Sequence, residues 1–278
     1  MSVVRTPDIE IPFRYLRQGA PILMLEASVN GQGPFDFILD TGNGLEAIAI
    51  SPELAGKLGI TTVEKFIESR FPVGLSKSLS MGFIEEFEIG GFRTGGRDVG
   101  VLAALSELGE KLNARIDGNI GFHFLKDYAL TLDFQRSVLT LSVDEPVGPS
   151  MPIEVRKEDP LILLDVQANG TPMTFVLDTG ASYNCISLPA ACTLNLELGK
   201  TFAVNGSDAD VAYMCKLETL SVAGQTQHSV GLAAVGFLED LSDAMGIAID
   251  GVLGHTFWSK YRLTIDYLRN RLFLMDVQ

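Results

Sequence analysis

Cysteine is scarce in this 278-residue chain, with three in all; histidine also occurs three times and tryptophan once. Cys185, Cys192 and Cys215 form no Cys-x-x-Cys, and three thiols cannot all pair within one chain. They read as buried or idle thiols, with a Cys185–Cys192 bridge left open. His123, His228 and His255 show neither a His-Glu-x-x-His motif nor a paired spacing, so no metal site and no cofactor are expected. Basic residues are outnumbered, 21 against 35 acidic, for a formal charge of −14. That balance sets the chain against nucleic-acid phosphates and anionic membrane surfaces. No run approaches the roughly 18 apolar residues of a membrane-spanning helix. The opening "MSVVRTPDIEIPFRYLRQG" lacks the apolar segment of a secretory leader. The expectation is a protein without membrane insertion, cytoplasmic as written, or periplasmic or secreted if a leader has been removed. "GLSKS" is no nucleophile elbow, and "LNLELGKT" lacks the first glycine of a phosphate loop.

What the chain has is a repeat. "PILMLEASVNGQGPFDFILDTG" (Pro21–Gly42) and "PLILLDVQANGTPMTFVLDTG" (Pro160–Gly180) align with a single one-residue gap. Each reads as an apolar strand, an Asn-Gly turn and a second strand, the signature of a β-hairpin. Further on, "DGNIGFHFLKDYALTLDFQRSVLTL" (Asp117–Leu141) lies against "DGVLGHTFWSKYRLTIDYLRNRLFL" (Asp250–Leu274), with about eleven of twenty-five positions identical. Phe124 and Trp258 fall at the same place in the two copies and are read as core.

Between these anchors the element order also repeats. "SPELAGKLG" reads as a short helix with Ser51 as N-cap and Pro52 in its first turn, and "SLPAAC" sits at the matching place. Strand-like runs with glycine turns follow in both halves, Phe71–Gly91 and Phe202–Gly224, then the matching strands "DVGVLAAL" and "SVGLAAV". The linker "VDEPVGPSMP" divides the halves. Asn169-Gly-Thr and Asn205-Gly-Ser fit the glycosylation pattern but read as turns. Many short strands and few helices predict an all-β chain of two similar lobes, 1–146 and 147–278.

Both hairpins end on a carboxylate, and a buried carboxylate is costly unless paired or hydrogen-bonded. A single Asp-Thr-Gly is expected by chance in roughly one chain in twenty of this length. Two copies are another matter, each behind an apolar strand and each followed roughly 70–80 residues later by two hydrophobic-type positions and a glycine. On "FILDTG" with "GNIG", and "FVLDTG" with "GVLG", the chain resembles the retropepsin-like aspartic proteases, with two lobes in tandem as in pepsin-like enzymes. The Asp-Gly blocks running on to Tyr-x-Leu-Thr-x-Asp are similar to the bacterial retropepsin-like group. Only some twenty residues precede the first repeat, so no pepsin-type prosegment is expected.

The resemblance implies an acid-protease fold: two β-barrel lobes forming a pseudo-dimer with a cleft between them. It implies an aspartic endopeptidase in which Asp40 and Asp178 share one proton and activate a water. Thr41 and Thr179 would bond across the interface, and Gly42 and Gly180 would let N–H groups approach the carboxylates. Relatives carry Ser or Ala after Asp-Thr-Gly. Here Ala181 fits, whereas Asn43 departs, either donating to Asp40 or pointing away. Asn119 is a polar departure in the "NIG" block, which with "VLG" should pack beneath the aspartate loops. The flap tips are placed near Gly74 and Gly206. Asp117 and Asp250 are assigned to turns or loops, Asp133 and Asp266 to structure or surface, and His255 to structure. The partner is an extended peptide or protein, met by a monomer whose lobes pair internally. The alternative, favoured by Asn43 and Asn119, is a non-catalytic peptide- or protein-binding module on the same fold.

Overall fold

Two hairpins with the same turn chemistry open the two lobes of the computed structural model, which describes residues 8–17, 20–45, 47–66, 78–156, 160–204 and 207–277. Strands Ala20–Val29 and Gln32–Leu39 are joined through Asn30 and Gly31, with φ of 49° and 70°. Strands Ile162–Ala168 and Thr171–Leu177 are joined through Asn169 and Gly170, with φ of 49° and 78°. Two left-handed residues in a row give a turn whose twist matches a right-handed hairpin, and Asn-Gly tolerates it best. The asparagine side chains also tie each turn to its own lobe. Asn30 Oδ1 accepts the N–H groups of Glu85 and Glu86 at 2.8 and 3.2 Å, and Asn169 Oδ1 those of Glu218 and Thr219 at 2.9 and 3.0 Å.

The order downstream repeats. A three-residue strand, Ile48–Ile50 or Cys185–Ser187, leads into a helix, Pro52–Leu58 or Leu188–Thr193. Ser51 caps the first by accepting from Leu54 N, and Ser187 caps the second by accepting from Ala190 N. The outer strands follow. Ser207–Val222 and Gln225–Val235 form one long hairpin in the second lobe. The first lobe breaks the same path into Ser78–Ile84, Phe87–Ile89, Phe92–Thr94 and Arg97–Val101. Each lobe then has a helix, Ala103–Leu112 or Phe237–Met245.

The repeated Asp-Gly has a structural cause. Strands Gly118–Ile120 and Gly251–Leu253 run parallel to the second strand of each hairpin, with Gly118 opposite Phe37 and Gly251 opposite Phe175. A Cβ at Gly118 would lie 2.1 Å from the Phe37 ring, and one at Gly251 2.5 Å from the Phe175 ring. The aspartate before each glycine seals the start of that pairing. Asp117 Oδ2 accepts from Asp36 N at 2.7 Å, and Asp250 Oδ2 accepts from Thr174 N at 2.9 Å.

The lobes meet in a run of six neighbouring strands, in the order Met151–Pro152, Arg271–Asp276, Tyr261–Asp266, Ala129–Asp133, Val138–Ser142, Ile9–Arg17, which continues through Ile9–Arg17 into the first lobe's own sheet. At its centre Thr131 faces its counterpart Thr264, their hydroxyls 2.9 Å apart, so a pseudo-twofold axis passes between them. Asp266 is fully buried there and holds Arg269, while Asp133 Oδ1 caps the turn by accepting from Arg136 N. The largest apolar cluster runs through both lobes and includes Phe35, Phe37, Phe175, Phe257 and Trp258. Such side chains are each worth about 1.5–3 kcal/mol on burial. Phe124 and Trp258 are both core, but they are not counterparts. The common register sets Phe124 against Phe257 and Leu125 against Trp258, whose indole N–H donates to Leu253 O at 2.6 Å. The Cys185–Cys192 bridge does not form: all three cysteines are free, Cys185 in a strand and Cys192 exposed on a helix.

Candidate active site

The second strand of each hairpin is fully buried over its last three residues, Phe37–Leu39 and Phe175–Leu177. Asp40 and Asp178 come next. Their backbone N–H groups donate to Ile120 O at 3.0 Å and Leu253 O at 3.1 Å, which ends each strand against the parallel Asp-Gly segment. The following Thr-Gly turns lie at the lobe interface, and there the two carboxyls come close enough to shift one another's ionisation, each packed against the other loop's glycine.

Four hydrogen bonds lock the loops together. Thr41 N donates to Thr179 Oγ1 and Thr179 N to Thr41 Oγ1, each at 3.0 Å. The hydroxyls donate in turn across the interface, Thr41 Oγ1 to Leu177 O at 3.3 Å and Thr179 Oγ1 to Leu39 O at 3.1 Å. Both threonines are buried, so breaking one bond would leave a polar group unpaired in the dry interface.

Gly42 N donates to Asp40 Oδ1 at 2.9 Å and Gly180 N to Asp178 Oδ1 at 2.7 Å. Each glycine also touches the opposite carboxyl. A Cβ on Gly42 would lie 2.7 Å from Asp178 Cγ, and one on Gly180 2.6 Å from Asp40 Cγ. Only hydrogen fits.

Around the two aspartates the symmetry fails. Ala181 N donates to Asp178 Oδ1 at 3.2 Å. At the matching place Asn43 does not touch Asp40 with its side chain, nor does it point away. Its Nδ2 donates to Asn119 Oδ1 at 2.8 Å, and Asn119 Nδ2 donates to Asp40 Oδ2 at 2.8 Å. Beneath the loops, Phe122 N donates to Asn43 O and His255 N to Ala181 O.

Burial raises both carboxyls above the ordinary range. Asp178 is pushed up to about 8, first by burial and next by the charge of Asp40. At Asp40 burial again leads, opposed first by the bond from Asn119.

The family model of aspartyl proteases matches residues 25–124 and again residues 164–257. The chain belongs to the aspartyl protease family. The tandem match fits the two-lobed, mostly β architecture, one retropepsin-like unit to each lobe. A comparison with curated proteins gave no match. Among the described residues of the chain no helix is long and apolar enough to cross a membrane. The flap tips expected near Gly74 and Gly206 lie outside the described residues, as does Asn205.

Sequence reasoning missed Tyr267. It is buried in the interface, its hydroxyl has no partner among the described residues, and it lies close enough to feel the charge of Asp40. Its counterpart is Phe134, so the signal was a Phe-to-Tyr difference inside the matched block. His255 also lies beneath the loops, its ring packed edge-on against Tyr15 and Phe134.

Proposed function

We propose that this chain is an aspartic endopeptidase with one active site, formed by Asp40 and Asp178 within a single monomer and acting on extended polypeptides. The observation that carries the reading is the meeting of two carboxyls from equivalent loops across a pseudo-twofold axis, in a setting that raises both. Two carboxyls so close cannot both ionise at moderate pH, so they hold one proton between them, as aspartic-protease dyads do generally.

The chemistry follows from that single proton. The ionised carboxylate takes a proton from a water as its oxygen bonds to the scissile carbonyl carbon. The protonated carboxyl gives its proton to the carbonyl oxygen, leaving a neutral tetrahedral diol. On collapse the first carboxyl protonates the amine as the C–N bond breaks, and a diol hydroxyl returns a proton to the second. The starting protonation is restored, with no metal and no covalent intermediate. Thr41 and Thr179 fix the spacing of the two loops. Gly42, Gly180 and Ala181 supply N–H groups that orient the carboxylates, while Asn43 N closes its turn on Asp40 O at 3.2 Å. We divide the chain as 1–146 and 147–278, because the segment between strands Val138–Ser142 and Met151–Pro152 carries the path from one lobe's pairing to the other's.

The test is digestion of a mixed peptide library from acid to mildly alkaline pH, with product termini read by mass spectrometry. Internal cleavage of extended peptides is expected, fading near pH 8 as the second carboxyl loses its proton. An intact library at every pH would overturn the peptidase reading and favour a binding module.

A further inference from the structure

The two halves of the candidate site differ in one respect that repetition does not explain. Position 119 is Asn where the second lobe has Val252, and position 43 is Asn where it has Ala181. Asn119 and Val252 are equally buried, each 8% exposed, at the centre of equivalent strands. A buried amide is retained at a cost unless its groups are all bonded.

Here they are bonded in one direction only. Leu45 N donates to Asn43 Oδ1 at 3.0 Å, and a backbone N–H can do nothing but donate. Asn43 therefore turns its Nδ2 toward Asn119, which presents Oδ1 to it and so aims Nδ2 at Asp40 Oδ2. Asp40 Oδ1 already accepts from Gly42 N. Both oxygens of Asp40 thus face donors. On Asp178 the N–H groups of Gly180 and Ala181 both converge on Oδ1, and Oδ2 receives no N–H among the described residues.

We infer that the Asn43–Asn119 pair is a positioning device that holds the negative charge on Asp40 and leaves the shared proton on Asp178. On the endopeptidase reading, this makes Asp40 the water-activating base and Asp178 the acid toward the carbonyl oxygen. At the other titratable groups against the pair, burial disfavours the charged form. Burial raises the Tyr267 hydroxyl, pushes the Cys185 thiol beside Asp178 up to about 12, and lowers the His255 imidazole beneath Ala181.

The decisive measurement is a 13C NMR titration of protein labelled at the aspartate carboxyl carbon, with Asp40 and Asp178 assigned from their Asn variants. In the wild type the Asp40 signal should carry the first ionisation and the Asp178 signal the second. Asn119→Val, which copies the second lobe, should move the first step up by about one pH unit and spread it over both carbons. Asn43→Ala should move it the same way by less, and it serves if the valine variant fails to fold. In peptide cleavage the acid limb of kcat/KM should shift likewise, leaving Asn119→Val about tenfold slower below that limb. A first ionisation on Asp178, or unchanged titrations in both variants, overturns the inference. An asymmetric wild-type titration in a protein that cleaves no peptide removes the endopeptidase reading and leaves the positioning role of the Asn43–Asn119 pair standing.

Discussion

Replacing either Asp40 or Asp178 by asparagine is expected to lower kcat/KM for peptide cleavage by roughly 10³–10⁴-fold, with the fold intact. Asparagine matches aspartate in shape, so the N–H bonds from Gly42 or Gly180 to the retained oxygen survive. What disappears is the ability to hold or move a proton. On the proposal that the two groups share one proton, the double variant should be little worse than either single one, the pattern of residues that act as a unit. Stability supplies an independent check. The Asp178 carboxyl is raised to about 8 in the folded chain, so the folded state keeps a proton that the unfolded chain has already lost above the ordinary carboxylate range. Stability from that proton is fully present below the unfolded value and drains away as pH rises toward 8. The wild-type melting temperature should therefore fall across that window, and Asp178→Asn should flatten the fall. In Asp40→Asn the neighbouring charge is gone, so the decline should end at lower pH. Calorimetry against pH measures the slope and a peptide assay the rate. An Asn variant that keeps more than about a tenth of wild-type activity would show that the pair is not one catalytic unit.

The parts of this structure that were legible beforehand are those with local causes. Asn30-Gly31 and Asn169-Gly170 declare hairpins because few pairs accept two left-handed residues in a row. Ser51 and Ser187 declare helix starts because a hydroxyl can satisfy an otherwise unpaired N–H. The family match over residues 25–124 and 164–257 agrees with a duplication read directly from the chain. What was not legible depends on pairing between distant segments. Asn119 reaches Asp40 because Gly118–Ile120 runs parallel to Gln32–Leu39 in one particular register. A slip of one residue would turn it to the other face. Asn43 stood out as unusual, yet its partner lies 76 residues away and no spacing rule links them. Tyr267 enters the interface only because the lobes close on one another.

Gly180→Ala should cost at least about 100-fold in kcat/KM and about 1–3 kcal/mol of stability, although it adds a single methyl group. The reason is clearance, since Gly180 is not among the glycines with positive φ. The new Cβ would stand 2.6 Å from Asp40 Cγ and 2.7 Å from its Oδ1. Asp40 has no cheap retreat. Gly42 N and Asn119 Nδ2 hold its two oxygens, and its backbone N–H is fixed to Ile120 O. The loop has none either, because moving it away breaks the reciprocal Thr41–Thr179 bonds in a buried interface. Whichever side yields, the carboxyls separate, and a shift of order 1 Å in reacting groups is enough for the expected loss. Gly42→Ala should behave alike, its Cβ meeting Asp178 Cγ at 2.7 Å. Gly231→Ala in the same lobe is the control, since a Cβ there meets nothing within 4 Å. Rate and melting temperature for the three variants separate the cases. If Gly180→Ala cleaves like the wild type, the two loops stand farther apart in the working enzyme than they do here, and a shared proton between Asp40 and Asp178 loses its geometric basis.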